Sequence, residues 1–222
     1  EDENTKYEKE KPIDTVQLQT NNIIEDKYVI KDMIPRGIVY KTYIVAENED
    51  GMYLIDQHAA AERVNYEKCL KKILNPTIET IPLLIPISIE LPRNEYIVVK
   101  NHLDLLESIG IKCEEFGENT FIVRSHPTWR HENVEKQDIE KIFELIAHNE
   151  SFDKNKFIDH AAATMACRMS INANDYITLD EAKYLLDCLR QCDNPFNCPH
   201  GRPTIITYTK YDLEKMFKRV MD

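Results

Sequence analysis

Asp56, Gln57, His58, Ala59, Ala60, Ala61 and Glu62 place two carboxylates and an imidazole within one short stretch. If the chain is helical from His58 onward, His58 and Glu62 stand four apart and project from one face, close enough to share a cation. Asp56, just before such a helix, could orient the imidazole or hold a metal-bound water. An ordinary surface ion pair has the same spacing. A second candidate is Cys198-Pro199-His200. In an extended segment residues two apart point the same way, and thiolate plus imidazole is a combination that zinc favours. A buried Cys beside a turn His is the alternative. Cys167, in Ala166-Cys167-Arg168, is either a further ligand or a small core hydrophobe on an Ala-rich helix. Arg168 could meet a phosphate or pair with a carboxylate.

The elements that must position these residues can be read from the pattern. Tyr28-Val29-Ile30, Gly37 to Tyr40 and Thr42 to Ala46 are β-rich runs, and the turn residues from Glu47 to Gly51 lead into Met52 to Ile55 as a hairpin partner. His58 to Leu74 has apolar residues at near-helical spacing and ends before Asn75-Pro76. Prolines interrupt the Ile and Leu pairs between Thr77 and Pro92, which suits an edge strand or a docked extended segment. The pattern then predicts an amphipathic helix from Arg93 to about Gly110, short strands at Ile111 to Cys113 and Thr120 to Val123, and a helix from about Val134 to Ala147. Phe157 to Ala173 reads as a buried helix. A further helix spans Asp180 to Cys192 with Thr178 as its N-cap. A strand from Thr204 to Tyr208 and a helix from Tyr211 close the chain.

Composition narrows the chemistry. The formal charge of -11 argues against a chain that grips DNA unaided, since phosphate contacts come from clustered Lys and Arg. Five glycines with no Gly-rich run leave no phosphate-cradling loop, so ATP binding is not expected. The six cysteines lack the dense spacing of a secreted scaffold and read as reduced thiols, some able to hold metal. No apolar run approaches the roughly 20 residues of a membrane span, and no basic-then-apolar leader is present, so a soluble, cytosolic protein is expected. Residues 1–25, rich in Glu, Lys, Asn, Gln and Thr, read as disordered linker. The sequence opens at Glu1 rather than Met, as expected of an excised piece.

Asp56-Gln57-His58-Ala59, two residues, Glu62, four residues, Glu67 resembles the endonuclease motif of the bacterial MutL mismatch-repair family. Ala166-Cys167-Arg168 and Cys198-Pro199-His200-Gly201-Arg202-Pro203-Thr204 resemble two further motifs of that family, in the same order. The likeness covers about residues 24–221. It implies a C-terminal endonuclease and dimerisation domain that nicks double-stranded DNA, in which His58, Glu62, Cys167, Cys198 and His200 surround one or two divalent ions and Asp56 completes the site. Asp56, Glu62 and His58 are then the catalytic candidates, with Gln57, Glu67, Arg168 and Arg202 supporting. Zinc would be structural or regulatory, and manganese would support nicking. A metal lowers the pKa of a bound water while a second charge neutralises the phosphate.

The resemblance further implies an α+β fold of two lobes. Residues 26–75 and 150–222 would form a dimerisation and endonuclease subdomain of mixed sheet and helices, and 76–149 an inserted α/β regulatory subdomain. It implies a homodimer, weak DNA binding in isolation, MutS contacted through the full-length protein, no membrane, and a cytoplasmic protein that joins the nucleoid during repair. Sliding-clamp contact would fall on Leu83, Leu84, Ile85 and Pro86, although Ile81 stands where the family has Gln. A strand packed inside the lobe is the other reading of that stretch. The competing function is a non-catalytic dimerisation and recruitment module with a structural zinc site.

Overall fold

The computed structural model describes residues 30–75, 78–127, 136–148, 153–169 and 176–220. The expected linker at 1–25 and the Tyr28-Val29 run lie outside the described residues, and Ile30 precedes the first strand. Strand β1 (Ile34–Val39) turns back into β2 (Tyr43–Asn48) through Tyr40 and Lys41, both at positive φ, with the Thr42 N–H donating to the Val39 carbonyl. Tyr40 therefore belongs to the turn and not to the strand run that its composition predicts. Strand β3 (Gly51–Asp56) completes the expected hairpin, with Ile44 opposite Ile55 and Val45 opposite Leu54. A Cβ on Gly51 would stand 2.4 Å from the Tyr208 carbonyl oxygen, which is why this corner takes glycine.

Helix α1 (Gln57–Ile73) begins without a linker. Asp56 caps it, accepting the Ala59 N–H at 2.9 Å. Strand β4 (Thr80–Glu90) is an edge strand, as its prolines predict, and its pairing is interrupted between Pro82 and Ile87. The single helix expected from Arg93 to Gly110 is instead two, α2 (Arg93–Lys100) and α3 (Leu103–Ser108). At the break the His102 ring Nδ1 takes the Val98 carbonyl at 2.8 Å, and the His102 backbone N–H goes to Val99 instead. A side chain that captures the carbonyl of residue i−4 displaces the bond that would continue the helix.

The rest of the chain follows as β5 (Lys112–Glu115), β6 (Thr120–Pro127), α4 (Lys136–Ala147), α5 (Lys154–Met169), α6 (Leu179–Arg190), β7 (Ile205–Thr209) and α7 (Lys210–Met216). The expected beginnings of α4 at Val134 and end of α5 at Ala173 lie outside the described residues. Thr178 caps α6 in a reciprocal box with Glu181, as its sequence predicts. The fold is α+β, and the described residues form two antiparallel sheets, ordered β1-β2-β3-β7 and β4-β6-β5.

Two cores result. In one, Ile44, Ala46 and Ile55 from the inner face of the first sheet meet Ala60 and Val64 of α1 and Ala182, Leu186 and Leu189 of α6. In the other, Ile89, Phe121 and Val123 meet Leu106, Ile142, Phe143 and the α5 residues Phe157, Ala161 and Ala162. Each large apolar side chain so buried contributes on the order of 2 kcal/mol. Helix α1 serves both cores, since Cys69 and Ile73 near its end belong to the second. Helix α1 packs along α5, where Ala161 and Ala162 are fully buried, and this packing places Glu62 against Cys167. Among the described residues no helix is long and apolar enough to cross a membrane.

Candidate metal centre

Glu62 is the hub. It is 2% exposed, a burial that a carboxylate tolerates only with hydrogen-bonding or charged partners. One oxygen, Oε1, lies 3.2 Å from His58 Nε2 one turn back and 3.1 Å from the Cys167 sulfur on α5. The other, Oε2, lies 2.9 Å from the Arg202 guanidinium and 3.4 Å from His200 Nδ1. Burial works to raise the Glu62 pKa, but hydrogen bonds from Cys167 and Cys198 and the charges of His58 and Arg202 outweigh it and hold the carboxyl below its ordinary value. Burial, then the hydrogen bond and charge of Glu62, pushes the Cys167 thiol up to about 12. A bond to Cys198 and the charge of Glu62 raise the Arg202 guanidinium further.

A tight loop delivers the last donors. Phe196 and Thr204 are linked by the Thr204 N–H, and the loop closes on itself through Cys198 N–H to the Arg202 carbonyl at 2.8 Å and Gly201 N–H to the Cys198 carbonyl at 2.9 Å. Gly201 sits at φ +83, a conformation that side chains resist, and it turns the chain so that His200 reaches Glu62 while Cys198 stays buried. The loop is tied to the start of α1 because the Thr204 carbonyl accepts the Asp56 N–H at 3.0 Å.

Ligand atoms of Glu62, Cys167 and His200 all lie within 4.8 Å of one another, the spacing that a single ion requires. His58 joins them through Glu62, and Cys198 borders them through Glu62 and Arg202. The expected residues are not all gathered there. Asp56 Oδ1 is committed to capping α1. Gln57 is buried behind the helix start, its backbone N–H bonded to the Thr42 carbonyl. Glu67 holds the backbone N–H groups of Asp193 and Asn194, away from the cluster. The Arg168 side chain lies outside the described structure. Leu84 and Ile85 of the expected clamp segment are almost wholly exposed, while Leu83 packs on the second core. Buried Arg63 bonds to the loop at Asn197, its neighbour Tyr66 bonds to Asp159 on α5, and neither was legible as a site residue. The signal that could have found them is their position at i+1 and i+4 from Glu62.

Comparison with known proteins shows the family. Residues 36–177 match the family described as MutL C terminal dimerisation domain. The chain is 44% identical, over 96% of its length, to the DNA mismatch repair protein MutL of Shouchella clausii, and covers 33% of that protein. It is 42% identical over 99% of its length to the MutL of Listeria welshimeri, covering 37% of it, and 40% identical over 94% to that of Anoxybacillus flavithermus, covering 36%. The chain thus spans about a third of the length of these relatives.

Proposed function

Because the chain belongs to the family of MutL C-terminal dimerisation domains, we propose that it is the part of a mismatch-repair MutL that nicks double-stranded DNA with divalent metal and joins two copies of the protein. The observation that carries the reading is the convergence of Glu62, Cys167 and His200 within 4.8 Å from three separate parts of the chain. One carboxylate, one thiol and one imidazole suit zinc, whereas manganese prefers oxygen donors. Glu62, Cys167 and His200 would hold the ion, with His58 and Cys198 completing its surroundings.

When bound, the metal supplies an activated water and a positive charge for the phosphate. The chain's own residues do the rest. Arg202, half exposed beside Glu62, has guanidinium N–H groups left over for a phosphate oxygen. His58, 27% exposed, sets its Nε2 3.2 Å from Glu62 Oε1 and helps to fix that carboxylate. The charge of -11 makes intrinsic DNA affinity low, so recruitment falls to MutS through the rest of the protein and to the sliding clamp. The exposure of Leu84 and Ile85 supports clamp contact at β4. Residues 76–149 would be the regulatory lobe, and the protein would work in the cytoplasm at the nucleoid.

The outer face of the first sheet supports a homodimer. Val39 and Tyr43 pair on it, Val45, Leu54 and Ile206 form a row across three strands, and Met52 pairs with Tyr208. Ile206, Val39 and Tyr43 are each more than a third exposed, an apolar surface that a second copy would cover.

A second reading, a recruitment module with a structural zinc site, draws support from the commitment of Asp56 to the helix cap. Nicking of supercoiled plasmid with manganese separates the two. The endonuclease loses activity in both Asp56→Asn and Cys198→Ser, with zinc content reduced in the second. A module with structural zinc gives no activity above background even with the ATPase region and clamp restored.

A further inference from the structure

We infer that Arg63, Tyr66 and Glu67 form a positioning unit that sets the loop bearing Cys198 and His200, and the helix bearing Cys167, against α1. The inference rests on the metal-site reading above. The three residues stand at i, i+3 and i+4, so they share one stripe of α1. Arg63 is 8% exposed and Glu67 6%, and two charges so buried persist only where partners compensate their desolvation.

Those partners all belong to the segments that deliver the donors. Arg63 Nε donates to the Asn197 carbonyl at 2.6 Å, on the residue immediately before Cys198. Glu67 accepts the Asp193 N–H at 2.8 Å on one oxygen and the Asn194 N–H at 3.2 Å on the other. Arg63 and Glu67 approach each other at 3.8 Å, and Lys71 reaches Glu67 at 4.0 Å. The Arg63 guanidinium lies 5.0 Å over the Tyr66 ring, and the Tyr66 hydroxyl donates to Asp159 on α5, eight residues before Cys167. Residues 193–197 carry no helix or strand of their own, and beside the Asn197–Pro203 bridge and the Asn194 side chain, which accepts the Phe196 N–H, they are held by these bonds and by Thr204, which donates to the Pro195 and Phe196 carbonyls. Outer groups that orient ligands set metal affinity even though they never touch the ion.

The test is titration of the protein with cobalt(II), read by thiolate-to-cobalt charge-transfer absorption, together with zinc affinity by chelator competition. Glu67→Gln keeps the shape but loses one acceptor, Arg63→Lys keeps the charge but loses the directed Nε–H, and Tyr66→Phe loses only the hydroxyl. Lys183→Ala serves as control, because its ion pairs with Asp32 and Asp187 lie on α6 and the approach to β1. The expected result is affinity lowered about 10- to 100-fold in Glu67→Gln and Arg63→Lys, a smaller loss in Tyr66→Phe, weakened cobalt absorption in each, and no change in the control. Should Glu67→Gln fail to fold, Arg63→Lys and Tyr66→Phe decide. Variants that bind cobalt with wild-type affinity and spectrum overturn the inference while leaving the metal site standing. A wild-type protein that takes up no cobalt ends the metal reading and the inference together.

Discussion

The Glu62 carboxylate on α1 meets the Cys167 sulfur on α5 at 3.1 Å, across 105 residues of sequence. On the proposed reading this contact marks where the ion sits. Glu62→Gln preserves volume but removes the charge at the hub, and it is expected to lower zinc affinity at least about 10-fold and metal-dependent nicking about 100-fold or more. Zinc retention after dialysis and plasmid nicking check it. Unchanged values of both would move the ion elsewhere.

Metal uptake should depend on pH with a defined sign. The Cys167 thiol, pushed up to about 12, is protonated throughout the neutral range, and only its thiolate binds metal. Binding therefore displaces its proton, and affinity rises with pH by about tenfold per unit for that proton as long as the pH stays below the raised value. Zinc affinities measured one unit either side of neutrality give the slope. Cys167→Ser should reduce it by one proton, and an identical slope would remove Cys167 from the ligands.

Leu54 stands between Val45 and Ile206 on the outer sheet face. Leu54→Glu would bury an unpaired charge in the proposed homodimer at a cost on the order of 3 kcal/mol, weakening association about 100-fold or more. Light scattering should then report the 26.0 kDa chain where the parent gives twice that mass. A variant that stays dimeric with an unchanged melting temperature rules this face out.

Leu84, wholly exposed on β4, can be changed at little structural cost. Leu84→Glu is expected to shift stability by no more than about 0.5 kcal/mol and to reduce clamp-stimulated nicking severalfold. Full stimulation in the variant would reject clamp contact at this strand.

Local features were legible in the sequence because their causes are local. The hairpin from Tyr43 to Asp56, the start of α1 and the Thr178 cap of α6 each follow from alternation, turn residues or a capping side chain within a few positions. The break between α2 and α3 was not, because it depends on a His102 ring choosing a carbonyl over solvent. The candidate site divides the same way. The spacing of His58 and Glu62 announces a shared face, but nothing in spacing brings Cys167 and His200 to them. That placement required the family resemblance. Arg63 escaped notice because a lone Arg on a helix reads as surface until its burial is seen.

The order of the strands sets a schedule. Strand β7 lies beside β3, and the Thr204 carbonyl closes on Asp56, so the first sheet and the loop bearing His200 are completed by residues near the end of the described chain. Such long-range closure is slow relative to local helix and hairpin formation. During synthesis, Glu62 and Cys167 leave the ribosome well before the loop that completes their cluster. On the proposed reading, no complete set of donors exists until the loop bearing Cys198 and His200 has emerged and closed on Asp56 through Thr204.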